Sequence, residues 1–313
     1  MAERYRYLKG FTFGSCYVRT RAIFGFTAQK WRDSDPLEQR ETALFFYYPE
    51  KPENKKWAVS GIGHATGVSG CAPFEPEERW VFVTDDGQVY VVGKGDDDYE
   101  KPISAVPLLY FSQVRSVRNG HAIAVGPKRH VFLRRGPNDW TRLDAGLYEG
   151  QDTSLEHAGF SDIDGFSERD MYACGGRGDL WQYDGRRWKQ VELPTNSVLE
   201  SICCGDDGFV YITTNLREIL RGGGGAWDVI TEGKPDEPLE SIVSYKNKII
   251  VSTSADLYFV DSTGFHPAGL GEPKMNSKAH LASGDGVLLV AGGDEAAMFD
   301  GRNWTVILTS EKP

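Results

Sequence analysis

The chain has 313 residues, 40% of them hydrophobic and 12% aromatic, with 36 glycines and a formal net charge of −10. That is enough apolar material for one large closed fold. The acidic excess argues against a nucleic-acid duplex or a membrane surface as partner, because both select for basic patches. If charge steers an association here, the partner is basic.

The N-terminal stretch MAERYRYLKGFTFGSC is charged from its third residue and has no unbroken apolar core of about 7–15 residues, so it does not read as a secretory signal. No apolar run approaches the ~20 residues needed to cross a bilayer as a helix. Cys16, Cys71, Cys174, Cys203 and Cys204 are odd in number and lack framework spacing. They fit buried thiols in a reducing compartment, and a cytoplasmic location is expected.

In chain order, residues 1–60 form the least regular unit. Residues 7–13 and 22–27 read as strands, 31–41 as a charged insertion, and 45–48 and 57–59 as two more strands. A Gly/Pro-rich stretch, 61–76, leads into WVFVTDDGQVYVV (80–92), where Asp86-Gly87 between alternating apolar runs marks a hairpin. A third unit runs from Val114 to Leu143. The fourth contains DMYACGGRGDLWQYDGRRWKQVEL (170–193), three short strands separated by a Gly-rich turn and an Asp184-Gly185 turn. The fifth, SICCGDDGFVYITTNLREILRGGGGAWDVI, shows four strands; the sixth (241–270) and seventh (281–308) are compact. No amphipathic helix of useful length is visible.

The fourth unit recurs at VLLVAGGDEAAMFDGRNWTVI (287–307). Aligned on the aromatic that opens the last strand, the landmarks are Trp57, Tyr99, Trp140, Trp188, Trp227, Phe265 and Trp304, at intervals of 42, 41, 48, 39, 38 and 39 residues. A period near 40 with four short strands is that of propeller blades. The expected fold is all-β, a single β-propeller domain over residues 1–313 with seven four-stranded blades, six or eight being the alternatives. The recurring tryptophans are expected to be mortar between blades.

The Gly175-Gly176…Tyr183-Asp184…Trp188 pattern resembles a shortened kelch repeat, and the Asp-Gly-x-x-Trp turns at 184–188 and 300–304 resemble degenerate Asp-box (BNR) turns. Kelch blades are longer, and the Ser/Thr-x-Asp lead-in of the Asp-box is missing. The WD40 pattern is not met, since Trp227-Asp228 opens a final strand rather than ending a third one. The likeness implies a propeller and no particular activity.

No catalytic constellation stands out. The arginines do not mark a sialidase-type cluster, and no G-x-S-x-G elbow is present. Cys203 and Cys204, adjacent on a strand, face opposite sides and do not share an ion. His64 and Cys71 read as a loop histidine and a buried thiol, and Asp162-x-Asp164-Gly165 as a turn. Gly222–Gly225 is followed by no Lys-Ser/Thr and reads as a long turn. No metal and no cofactor are expected.

Loop charge is more informative. Glu75, Glu77, Glu78, Glu149, Asp152, Glu156, Glu232, Asp236, Glu237 and Glu272 read as blade-to-blade connections. Arg134, Arg135, Arg186, Arg187, Arg221 and Arg302 read as third-to-fourth-strand turns. The expectation is one acidic and one basic-tinged face. The acidic face, set with Phe74, Tyr110, Phe111 and Tyr148, would capture a basic protein. The binding set is Phe74, Glu75, Glu77, Glu78, Tyr110, Tyr148, Glu149, Asp152, Glu156, Asp236 and Glu237. The reading is a non-enzymatic immunity or inhibitor protein masking a toxin, for instance a nuclease. The alternatives are a glycan-binding or carbohydrate-active propeller using its channel, and an assembly scaffold.

Overall fold

A computed structural model describes residues 10–30, 41–63, 65, 67–93, 95–103, 110–147 and 159–309. Among these, seven four-stranded antiparallel sheets follow one another, each built from four consecutive strands, and they form a seven-bladed propeller. Blade 1 comprises Phe11–Thr20, Ile23–Lys30, Thr42–Tyr47 and Trp57–Gly61; blade 2, Ser69–Cys71, Trp80–Val83, Val89–Gly93 and Asp96–Glu100. Blade 3 comprises Gln113–Ser116, Ala122–Gly126, His130–Gly136 and Asp139–Arg142; blade 4, Asp162–Ser167, Asp170–Gly175, Asp179–Tyr183 and Trp188–Val191. Blade 5 comprises Leu199–Cys204, Val210–Thr214, Ile219–Gly223 and Ala226–Ile230; blade 6, Ser241–Tyr245, Lys248–Ser252, Leu257–Asp261 and Gly264–Pro267. Blade 7 comprises His280–Gly284, Val287–Gly292, Glu295–Phe299 and Trp304–Leu308. The first strand of each blade lines the central channel.

The core lies between blades. Side chains alternate across a strand, so successive residues of a middle strand enter two different cores. Met171 and Ala173 pack toward blade 3, while Tyr172 and Cys174 pack toward blade 5. The run reads as continuously apolar because both sides are covered. Cys203 and Cys204 divide in the same way, one facing blade 6 and the other blade 4.

The Gly–Gly signature has a packing cause. Gly126, Gly175 and Gly292 each end the second strand of a blade, where an incoming connection crosses. A Cβ on Gly126 would lie 2.2 Å from the Tyr110 carbonyl oxygen, and one on Gly175 would lie 2.1 Å from that of Gly159. The next residue, as at Gly176 (φ +44°), turns the chain in the left-handed region.

The recurring aromatics are mortar, as expected. Trp188 is buried in the core between blades 3 and 4 and donates its indole N–H to Leu143 O at 3.0 Å. Trp304 repeats this with Leu270 O at 2.9 Å, between blades 6 and 7. Trp57, Trp140, Trp227 and Phe265 also pack into the core shared with the preceding blade. Tyr99 departs from the pattern: it is fourth in its strand, 57% exposed, and rests on Tyr90 at a ring separation of 4.8 Å.

An innermost strand has a free edge, and its N–H groups need partners. Side chains of the preceding blade supply several. Tyr17 Oη accepts from Gly70 N–H (2.8 Å), Ser69 Oγ from Val114 N–H (3.0 Å), Asp162 from Ile202 N–H (3.0 Å) and Ser241 Oγ from Leu281 N–H (3.3 Å). The ring closes without exchanging a strand. Phe11, Phe13 and Phe26 share a core with Val287, Leu289 and Ala291, and Phe13 N–H donates to Gly293 O at 2.6 Å.

Three expectations about placement are corrected. Ser69–Cys71 is the first strand of blade 2, hidden inside the Gly-rich stretch. Gly70 is required there, because a Cβ would stand 2.5 Å from the Phe82 ring and 3.2 Å from Tyr17. With that strand in place, Phe74, Glu75, Glu77 and Glu78 fall in the first-to-second-strand loop of blade 2, on the face opposite the connections. Arg134, Arg135 and Arg221 lie within third strands rather than turns. The first strand of blade 1 is Phe11–Thr20, later than residues 7–13.

Candidate protein-binding face

A propeller has two faces. One carries the blade-to-blade connections and the second-to-third-strand turns (the connection face), and the other carries the remaining hairpin turns (the hairpin face). On the connection face each incoming segment is pinned to the preceding blade. Phe111 N–H donates to Asp85 O (2.8 Å), Phe160 N–H to Gly126 O (3.0 Å), Leu199 N–H to Gly176 O (3.1 Å) and Lys278 N–H to Ser254 O (2.8 Å). The described ends of these connections are thereby held against the preceding blade.

Cations on this face are drawn into joints. Arg129 forks onto Asp179 at 2.9–3.1 Å, and that buried carboxylate also accepts from Trp181 Nε1 (2.8 Å) and Gly159 N–H (3.1 Å). Lys278 is buried and donates to Ala255 O, with Asp256 3.8 Å away. Arg217 and Lys234 donate to the backbone oxygens of Asp236 and Leu216. Among the acids, Asp86, Glu232, Asp236, Glu240 and Asp294 are exposed. Burial, then the nearby Glu240 charge, pushes the Glu200 carboxyl above its ordinary value. Exposed apolar groups share this face: Tyr110 (51%), Leu216 (51%) and Val198 (37%).

Of the residues expected to bind, Tyr110, Asp236 and Glu237 lie on the connection face. Glu237 is partly committed to its own fold. It accepts from Ser254 Oγ and Ala255 N–H at 3.3 Å, and hydrogen bonding, first from the Thr253 hydroxyl, holds its carboxyl below the usual range. Phe111 is buried against Phe132. On the hairpin face, Phe74 lies under the Arg19 guanidinium (5.9 Å), Glu78 pairs with Arg19 (3.2 Å), and Glu77 pairs with Arg79 (3.6 Å) and Arg134 (3.7 Å). Those acids balance Arg79 of their own loop and arginines of the blades on either side, Arg19 and Arg134, rather than forming one field with the connections. Tyr148, Glu149, Asp152 and Glu156 lie outside the described residues. Asp86 was read only as part of a hairpin turn, and Val198 and Leu216 were not singled out in the sequence. The available signal was an apolar residue at a tight turn, Leu216 between Asn215 and Arg217.

Two clefts open on the connection face. One, of about 430 Å³, lies between Ile62, Ala65 and Val68 and the flank of blade 2; the other, of about 460 Å³, lies between blades 5 and 6 beside Leu216. The channel, about 1000 Å³, is polar, but its groups join blades. Arg115 Nη2 meets Asp162 at 2.8 Å and Arg115 Nη1 donates to Ile202 O (3.3 Å), while Ser201 Oγ donates to Asp162 (2.9 Å). Burial pushes the thiols of Cys16, Cys71 and Cys203 up, so they stay protonated. Among the described residues, no three His, Cys, Asp or Glu side chains gather to hold a metal ion.

The chain is 34% identical over 243 residues to the immune protein Tsi7 of Pseudomonas aeruginosa, a match covering 77% of this chain and 79% of that one. The chain belongs to the Tsi7 family. No protein-family model matches it. Solved structures similar to it are the WD40 propeller domain of Doa1 (TM-score 0.63, 13% identity, 96% and 94% of the two chains) and virginiamycin B lyase from Staphylococcus aureus (0.60, 12%, 79% and 86%). At such identities these structures speak to the fold alone.

Proposed function

We propose that this chain is an immunity protein that neutralises a toxin by binding it, without chemistry of its own. The observation that carries this is the 34% identity to an immune protein across most of both chains. We assign the contact to the connection face, where apolar groups and exposed acids coincide and Arg129 and Lys278 are held in inter-blade joints. The hairpin face supports this choice less well, because its exposed Phe209 is already covered by the Arg221 guanidinium at 3.5 Å. The acids favour a basic toxin domain. A nuclease, whose substrate is a polyanion, would present such a surface.

The test is to recover the toxin that the tagged chain retains from its native cell and to express it with and without this chain. Growth restored in proportion to a stoichiometric complex is expected. A retained protein that is not toxic, or a toxicity unaffected by the complex, would contradict the reading.

A further inference from the structure

Among the described residues, an arginine, an aromatic ring and a carboxylate meet at three places. Arg19 lies over Trp80 (5.5 Å) and Phe74 (5.9 Å) with Glu78 at 3.2 Å. Arg129 lies over Trp181 (4.9 Å) with Asp179 at 2.9 Å. Arg221 lies over Phe209 (3.5 Å) with Asp207 at 3.8 Å. In all three the guanidinium lies over a ring with an acid nearby, and Arg129 also forks its N–H groups onto Asp179.

The cleft of about 430 Å³ beside blade 2 offers the same ring and acid without the cation. Its walls include Tyr99, Tyr110 and Asp86, its floor is apolar (Val68, Phe82), and no lysine or arginine is among the described residues that line it. Both tyrosines are more than half exposed. Tyr99 is fourth in its strand, opposite Tyr90 rather than at the inter-blade position of the other landmark aromatics, and its ring rests 4.8 Å from that of Tyr90 at the side of the cleft. Thr84 Oγ1 donates to one oxygen of Asp86, which steadies that carboxylate at the edge of the cleft.

We propose that this cleft receives an arginine side chain of the toxin, stacked between Tyr99 and Tyr110 and paired with Asp86. This rests on the immunity reading above and names its anchor. Rigid tyrosines contribute contact area at small entropic cost, and a charged group entering an apolar-floored cleft gains from a fixed acid. The occupant is arginine rather than lysine because only a planar guanidinium can stack and fork at once.

The test uses the full chain and the toxin it retains, titrated by calorimetry and by surface kinetics. Tyr99→Ala and Tyr110→Ala should each weaken binding about thirtyfold, as a hot-spot truncation does. Tyr110→Phe should keep most of the affinity, and Asp86→Asn should lower the association rate. All four should melt close to the wild type, since the side chains are exposed. With Tyr110→p-benzoylphenylalanine, the photo-crosslinked toxin peptide should contain an arginine. Tight wild-type binding left unchanged by the three weakening variants, or a crosslinked peptide without arginine, overturns the cleft assignment and leaves the immunity reading standing. Wild-type chain that binds no toxin overturns both.

Discussion

Arg134 and Glu100 form a salt bridge that water does not reach: the arginine side chain is 0% exposed and the glutamate 5%. Such pairs are costly to break, because the remaining charge stays buried. Arg134→Met should therefore lose ~3–5 kcal/mol in chemical denaturation, while the double change Arg134→Met with Glu100→Met should lose much less. The exposed turns show the opposite regime. Asp184 accepts from Arg186 and Arg187 N–H at 3.1 and 3.0 Å and meets Lys189 Nζ at 2.8 Å. Hydrogen bonding, first from Lys189, lowers its pKa to about 2. A lowered carboxyl pKa contributes stability that is present above the unfolded value, about 3.9, and is lost as pH falls toward the folded value. The melting-temperature gap between the wild type and Asp184→Ala should be constant at neutral pH and narrow between about pH 4 and 2.

At the scale of elements, the repeat is a joint between blades as much as a strand pattern. Gly175 admits the backbone of the incoming connection, so Gly175→Ala forces Gly159 aside and should cost ~1–3 kcal/mol, read as a lowered denaturation midpoint. Gly–Gly and Asp-Gly-x-x-Trp were legible in the sequence because each is local chemistry: a close approach, a left-handed turn, a ring that follows it. The strand Ser69–Cys71 was not legible, since three small residues carry no apolar alternation and their role comes from Tyr17 and Phe82 across the joint. Missing it sent Phe74 and Glu75 to the wrong face. The candidate site was half visible for a related reason. Asp236 and Tyr110 declare themselves as loop residues, whereas spacing alone aligns Tyr99 with the buried aromatics although it stands fourth in its strand, opposite Tyr90, and is exposed.

The whole molecule is a ring of seven similar joints whose two faces use charge differently. Arg129, Arg217, Lys234 and Lys278 on the connection face are tied to the framework, and on the hairpin face arginines are interleaved with acids such as Glu78 and Asp206. A partner approaching by long-range attraction would be guided to the connection face, with a rate that falls as salt rises. The most direct test compares two charge reversals for their association rate with the toxin, at low and physiological ionic strength. One carries Asp86→Lys, Glu232→Lys and Asp236→Lys on the connection face; the other carries Glu75→Lys and Asp285→Lys on the hairpin face. The connection-face variant should associate at least about tenfold more slowly at low salt, with the deficit shrinking toward physiological salt, and the hairpin-face variant should match the wild type. A slow hairpin-face variant beside an unchanged connection-face variant would place the toxin on the opposite side of the ring and contradict the account.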